Sequence, residues 1–552
     1  MKTNRVFQIF LAFAALSLLC AALSAAQGPA GGSMGQAPGA QGQGGQGPMG
    51  QGLMSGMGAA GGMSGMGGMG SMGGAAALDP SVKRTAVTAG RASGLIYEPK
   101  EPGEKAHIGV FVMHYDADYS SFSACTELSK RGYVVLCMKN AGGNLNDRLL
   151  DIKSSLEYLR KANGVQKIVL WGHSGGATLM TAYQLAAENG VKACQGPEKL
   201  SKCPNSLSGM PAADGLILAD SNFGNAAMGL FSLDPAVVTE GDGVNLNQAL
   251  NLFNPANGYK AGASSDYSQE FIRNFQATQA KRENALIKFA RQRVAALEAG
   301  KEGSAVDEPL VVVGGSSLGP FNKLFPQDTK LMAHTIKPWP LIHADGSITP
   351  EIVYSVRPVS GVGAGGGAGG PGGGQPGGMA GIPGSGQPGS QAGGTGGEMA
   401  GRKAGGQAGG SMGAGFSAGG MSSTLNTTVR NFLIDNAVRV SDDFYYDEDS
   451  VHGVDWTSTY ASPPGNVENI RVPSLFMGMT GSYEYLAAEI IYENSAAKDK
   501  SLAFVEGASH MYGVCKQCEK TPGQYGDTIK TLYDYADKWL SQKGRFIDNG
   551  QH

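Results

Sequence analysis

The chain has 552 residues, 87 of them glycine, and a formal net charge of −3 at pH 7. A balance so close to neutral, with no long basic run, argues against a surface built to hold nucleic acid. Glycine gathers in two tracts, 28–77 and 361–422, made of Gly, Met, Gln, Ala and Ser with almost no aromatic or branched residues. Such segments cannot bury enough apolar surface to offset their chain entropy, which leaves roughly 410 residues for one large core and an inserted domain.

In chain order, Lys2 and Arg5 precede an apolar run over 6–23, and Ser24, Ala25 and Ala26 follow it. This pattern predicts a signal peptide over 1–26, a secreted or periplasmic mature chain, and no membrane span once it is cleaved. An uncleaved anchor is the competing reading, and lipidation at Cys20 is disfavoured by Leu19 before it. Residues 27–78 are then a Gly/Met-rich linker. Strands are predicted at 92–97, 108–114, 133–138 and 215–219, with helices at 121–130 and 147–160 between them. Strands alternating with helices imply a parallel sheet covered on both faces.

From Asn222 the rhythm changes. A long helical region at 266–298, a short strand at 310–313 and the second glycine tract predict an insertion over 222–469, a cap containing a disordered loop at 361–422. Its acidic segment, with Asp442, Asp443, Asp447, Glu448 and Asp449, lacks the spacing of a calcium loop and reads as a solvated face. The α/β pattern resumes with strands at 474–477 and 501–505 and helices at 486–492 and 528–540. The core is thus expected over 79–221 and 470–545.

Six cysteines lie beyond the signal: Cys125, Cys137, Cys194, Cys203, Cys515 and Cys518. In an oxidising compartment local pairing is expected for Cys194 with Cys203 and for Cys515 with Cys518. A four-cysteine zinc site fits their spacing poorly. Cys125 and Cys137 are expected to be buried apolar residues.

The chemistry centres on Gly172-His173-Ser174-Gly175-Gly176. The G-x-S-x-G pattern also surrounds Ser33, Ser317, Ser411 and Ser417, but only Ser174 follows an apolar β-branched run and precedes an Ala-rich helical stretch. A serine at the apex of so tight a turn exposes its Oγ beside a helix N-terminus. It needs a base and an acid to orient that base. His510, on the small-residue loop Gly507-Ala508-Ser509-His510 after a strand, is the candidate base.

On these residues, and with His114-Tyr115-Asp116 after the second strand, the chain resembles the α/β-hydrolase superfamily over about 92–222 and 470–543. Within it the chain is most similar to capped secreted esterases and dienelactone-hydrolase-like enzymes. The resemblance implies an α/β-hydrolase fold with a large cap insertion and acyl transfer through a serine ester on Ser174. Backbone N–H groups of Gly175 and of Tyr115 or Asp116 would hold the oxyanion. His114 and Tyr119 are candidate substrate contacts, and His173 is expected to pack or hydrogen-bond locally. The sequence departs from the pattern where an aspartate usually follows the strand at 474–477. Glu484 is the first candidate for the acid and Asp220, at the end of the strand after the nucleophile helix, the second. The expected function is a secreted serine hydrolase of a small-molecule carboxylic ester or lactone, needing no metal or organic cofactor. The alternatives are a non-catalytic surface or matrix protein, in which the Gly/Met tracts mediate interaction, and lyase or transferase chemistry at the same serine.

Overall fold

The computed structural model of the chain describes residues 79–162, 164–261, 263–300, 306–316, 324–357 and 424–547. The expected signal peptide, the Gly/Met tract, the glycine loop at 361–422 and the serines at 33, 317, 411 and 417 lie outside the described residues.

Val82–Ala89 (β1) and Ala92–Pro99 (β2) form an antiparallel hairpin. Its turn uses Gly90 at φ +61°, a conformation that costs glycine nothing. Then come Ile108–Met113 (β3), Ser123–Lys130 (α1), Val134–Lys139 (β4), Leu145–Leu159 (α2), Lys167–Ser174 (β5), Gly176–Asn189 (α3) and Gly215–Ser221 (β6). α2 starts on a reciprocal capping box, in which Asn144 accepts from the Asp147 N–H and Asp147 accepts from the Asn144 N–H.

The insertion carries Asn225–Ser232 (α4), the hairpin Val237–Thr239 (β7) and Asp242–Leu246 (β8), and Gln269–Glu298 (α5). Short pieces follow: Pro309–Val312 (β9), Leu324–Gln327 (α6), His334–Ile342 (β10), Ile348–Tyr354 (β11), Leu425–Thr428 (β12), Val429–Asn431 (α7), Arg439–Tyr446 (β13), Val451–Asp455 (β14) and Pro463–Val467 (α8). Ser474–Met479 (β15), Ala487–Asn494 (α9), Lys500–Val505 (β16) and Thr528–Leu540 (α10) close the core.

Ten strands form one sheet in the order β1-β2-β4-β3-β5-β6-β15-β16-β10-β11. Pairing is parallel from β4 through β10 and antiparallel at the two outer hairpins and between β2 and β4. The β5 side chains show why both faces need helices. Ile168 and Leu170 enter the core that also holds Leu179 and Leu156 of α3 and α2, while Val169 and Trp171 enter the core shared with Tyr533 and Trp539 of α10. Each face of such a strand is apolar, so neither can meet water. This strand order, with a serine at the end of β5, is the α/β-hydrolase arrangement.

The insertion departs from a simple cap. β10 and β11 do not lie above the sheet; β10 pairs with β16 and the hairpin extends the sheet edge. Edge strands offer unpaired N–H and C=O groups, and a hairpin from the insertion satisfies one side of β16. Elsewhere among the described residues of the insertion, Leu286, Ile287 and Ala290 of α5 form a separate apolar cluster with Leu310, Val312 and Phe432. The acidic segment spans β13, β14 and their turn, where Asp447 accepts from the Asp449 and Ser450 N–H groups.

Cys194 pairs with Cys203 and Cys515 with Cys518. Cys125 and Cys137 correct the reading as free buried residues, for they also form a disulfide, joining α1 to β4 with Cα atoms 6.1 Å apart. Sequence position gave no hint of this, because the two elements meet only when α1 packs on the sheet. The three bridges fit an oxidising environment. No helix among the described residues is long and apolar enough to cross a membrane.

Candidate active site

The elbow is built from close approaches that side chains would block. A Cβ on Gly176 would lie 2.7 Å from the Met113 carbonyl oxygen, and one on Gly172 would lie 2.8 Å from Leu218 and 3.0 Å from the Ala177 Cα. Ser174 itself takes φ +50°, left-handed for an L-residue, and leads directly into α3. Among the described residues four non-glycines have positive φ, and Ser174, Asp220 and Tyr512 belong to this one region. Such strain is retained where surrounding structure over-determines it.

The elements around the elbow bring His510 to it. The histidine ring lies 4.5 Å, centroid to centroid, from that of His173, the neighbour of Ser174. Its Nδ1–H donates to Asp220 Oδ2 at 2.7 Å, while Glu484 Oε2 is 3.6 Å from the same nitrogen. The preference for Glu484 over Asp220 is therefore reversed on geometry. Asp220, the penultimate residue of β6, is fully buried, and its second oxygen accepts from the Met479 N–H at 3.1 Å. Glu484, also buried, is a second carboxylate facing the ring, and together with burial it pushes the Tyr483 phenol upward.

His173 does what local packing predicts, and more. Its Nε2 lies 2.7 Å from the His510 backbone carbonyl, which can only accept, so Nε2 carries the proton. Nδ1 then accepts from the Tyr119 hydroxyl at 2.7 Å. Burial, followed by the charge of His510, holds His173 well below the ordinary histidine range, so the ring stays neutral. Ligand atoms of His173, Asp220 and His510 lie within 4.8 Å of one another, a spacing that would admit a metal ion. Both ring nitrogens of His173 are committed to hydrogen bonds, however.

The His510 loop is tied to β5, to β6 and to the turn after β15. Gly481 N–H donates to the Ala508 carbonyl at 2.8 Å, and the Gly507 N–H to Thr480 Oγ1 at 2.8 Å. Tyr512 accepts from Trp171 Nε1 and donates to the Ala219 carbonyl, both at 3.2 Å. The Cys515–Cys518 bridge follows directly, with the Cys515 N–H on the Gly507 carbonyl at 2.8 Å.

The segment after β3 sits against the elbow. Asn140 Nδ2 donates to the carbonyls of His114 at 2.8 Å and Tyr115 at 2.9 Å. Arg148 of α2, nine-tenths buried, donates to the Tyr115 carbonyl at 3.0 Å and stacks over the Tyr115 ring at 4.0 Å. Neither Asn140 nor Arg148 stood out in the sequence, where each is one more polar residue in a loop or a helix.

Two expectations fail here. The Asp116 N–H, expected to hold an oxyanion, donates to His114 Nδ1 at 3.1 Å. Tyr119, expected to touch substrate, is buried in a stack between His114 at 4.6 Å and Phe122 at 4.3 Å, its hydroxyl spent on His173. A cleft of about 500 Å³ elsewhere, lined by Asn284, Lys288, Arg291 and Arg439 among others, contains none of these residues.

No protein-family model matches the chain, and no curated protein matches it. Among solved structures, a hypothetical protein from Pseudomonas aeruginosa aligns over 84% of this chain and 94% of its own, at 11% identity and a TM-score of 0.32. A bacterial heroin esterase aligns over 27% of this chain and 47% of its own, at 13% identity and a TM-score of 0.22. A hormone-sensitive lipase from a metagenome library aligns over 27% of this chain and 46% of its own, at 17% identity and a TM-score of 0.20. The alignment thus spans less than half of the esterase and lipase chains. What the chain does has to be read from its own site.

Proposed function

We propose that this chain is an exported serine hydrolase of carboxylic esters or lactones, with Ser174 as nucleophile, His510 as base and Asp220 as the acid that orients it. The observation that carries the reading is the 2.7 Å Asp220–His510 hydrogen bond beside a serine held at φ +50°. A carboxylate on Nδ1–H leaves the Nε2 lone pair to receive a proton.

In the reaction, Ser174 Oγ bonds to the substrate carbonyl carbon, its proton passes to His510 Nε2, and the carbonyl π pair moves onto oxygen. The oxyanion then re-forms C=O, the bond to the alcohol oxygen breaks, and Nε2 returns its proton to that oxygen. Water, deprotonated by Nε2, repeats the sequence on the acyl-enzyme and releases the acid. With a lactone the alcohol stays tethered to the acyl group. His510⁺ faces Asp220 and Glu484 together, and two buried carboxylates stabilise it more than one. Hydrogen bonds pin the His114 carbonyl on Asn140, so the Tyr115 N–H of the same trans peptide points the opposite way. That N–H and the Gly175 N–H are the backbone donors for the oxyanion. Three disulfides support export to an oxidising compartment.

The test is labelling of the purified protein with a fluorophosphonate probe and mapping of the modified peptide. Attachment at Ser174, lost in His510→Ala, is the expected result. Folded protein that takes no label would sink the hydrolase reading and favour a binding module on the same fold.

A further inference from the structure

The segment after β3 was expected to contribute backbone N–H groups, yet its most constrained polar group facing the elbow is a side chain. His114 Nδ1 accepts from two backbone donors, the Asp116 N–H at 3.1 Å and the Ala117 N–H at 2.9 Å. An N–H cannot accept, so Nδ1 holds a lone pair and the single proton of the neutral ring is on Nε2. Burial, then the charges of His510 and Arg148, lowers the His114 pKa to about 3, so the ring stays in this one tautomer across the working pH range. Stacking on Tyr119 at 4.6 Å holds its plane, and Asn140 holds its carbonyl.

The protonated nitrogen lies beside Gly175, the residue that follows the nucleophile. A Cβ on Gly175, the residue after Ser174, would lie 3.3 Å from His114 Nε2 and 3.5 Å from Cε1. Glycine at 175 therefore leaves that ring edge uncovered at the site where the Gly175 N–H begins α3. His114 is only half-buried, and Nε2 has no hydrogen-bond acceptor among the described residues. A neutral, pre-oriented donor with no acceptor, beside the residue that follows a nucleophile, matches what a developing negative oxygen requires.

We infer that the His114 Nε2–H is a catalytic donor of the oxyanion site, acting with the backbone N–H of Gly175 on the oxygen of the tetrahedral intermediate. This rests on the hydrolase reading of Ser174. The role is catalytic and separate from substrate recognition: the donor strengthens its bond as charge develops on the oxygen and gives no proton away. A neutral imidazole suits this better than an imidazolium, which would acidify and pass its proton to the alkoxide.

Two substitutions separate this role from a structural one. In His114→Asn the side-chain oxygen replaces Nδ1 and keeps the Asp116 and Ala117 donors, as an Asx turn does, while the Nε2 donor is deleted. His114→Gln does the reverse, reaching the Nε2 position with an amide N–H and giving up the Nδ1 contacts. With an ester that the wild type cleaves, His114→Asn is expected to lower kcat by about 10²–10³-fold with KM within threefold. Affinity for a trifluoromethyl ketone, whose serine adduct carries an oxyanion, falls in step, and His114→Gln retains more activity than His114→Asn. A folded His114→Asn protein with kcat and ketone affinity within threefold of wild type overturns the inference while leaving Ser174 labelling, and so the hydrolase reading, intact. Wild type that neither labels at Ser174 nor binds the ketone overturns both. Should the Asn variant not fold, ¹⁵N-histidine NMR of the wild type decides: formation of the ketone adduct must move the His114 Nε2–H resonance downfield, and an unmoved resonance refutes the role.

Discussion

Replacing Asp220 by asparagine tests the site most directly, because the structure dictates how the amide must sit. The Met479 N–H donates to one Asp220 oxygen at 3.1 Å, and His510 Nδ1–H donates to the other at 2.7 Å. Asparagine has one oxygen and one NH2. Its oxygen has to face Met479, since two donors cannot face each other, and the NH2 then faces His510 Nδ1. The imidazole proton moves to Nε2, the nitrogen that must accept from Ser174. The variant also loses a buried negative charge facing the imidazolium, and a unit pair at about 4 Å in an effective dielectric near 20 interacts by about 4 kcal/mol. Together these lower the rate by about 10³–10⁴. Glu484→Gln keeps the Asp220 bond and the correct tautomer and loses only the more distant charge, so a fall of about tenfold to a hundredfold is expected. The assay is the second-order rate of fluorophosphonate labelling at Ser174, which needs no knowledge of the substrate, with circular dichroism to confirm folding. A labelling rate for Asp220→Asn within tenfold of wild type, with collapse in Glu484→Gln, would refute the assignment of Asp220.

Four other outcomes are expected. Tyr119→Phe removes the donor to His173 Nδ1 and leaves that buried lone pair unsatisfied against the His510 loop, so kcat falls severalfold while KM holds; a rise in KM alone would restore Tyr119 as a substrate contact. Gly176→Ala sets a methyl 2.7 Å from the Met113 carbonyl and is expected to cost about 1–3 kcal/mol in urea unfolding, against nearly nothing if the turn relaxes. Opening Cys515–Cys518 by the double serine variant loosens the anchored loop of His510, so the labelling rate should fall well before the unfolding midpoint does. Finally, burial raises the Glu283 carboxyl in α5 from its ordinary 4.5 to about 8. The folded chain holds a proton there that the unfolded chain releases, so its stabilisation is complete below about pH 4.5 and fades as pH rises to about 8. Between pH 5.5 and 7 the wild type should lose about 2 kcal/mol relative to Glu283→Gln, at about 1.4 kcal/mol per pH unit; parallel stability profiles would show the carboxyl ionised in the fold.

Burial also raises Asp234 and Asp435 to about 6, which acts in the same sense at lower pH. Asp435 also accepts from the Leu145 N–H at 2.9 Å, and Asn431 accepts from Asn144 at 3.0 Å, which docks the insertion on the first turn of α2. Arg148, one turn further along, holds the Tyr115 carbonyl. The insertion is thereby in register with the segment that faces the elbow, a coupling of residues nearly 300 positions apart.

The sequence by itself determined the parts of this protein whose causes are local. The doubly apolar run 167–171, the glycines around Ser174 and the Ala-rich stretch after it specify strand, turn and helix through backbone sterics and hydrophobic periodicity, and β5, the elbow and α3 stand there. Alternation of strands and helices gave the parallel sheet in the same way. What only the tertiary structure decided are relations between elements that meet in space. Asp220 and Glu484 are each a carboxylate near the end of a strand, and their order changes because β6 brings Asp220 to 2.7 Å from His510 Nδ1 while Glu484 stays at 3.6 Å, which no sequence spacing encodes. Cys125 meets Cys137 because α1 lies on β4, and β10 and β11 leave the insertion because the edge of β16 offers unpaired backbone groups. His114 was visible only as a histidine after a strand; its tautomer, and the open face toward Gly175, exist only when the turn at Asp116 and Ala117 closes on Nδ1.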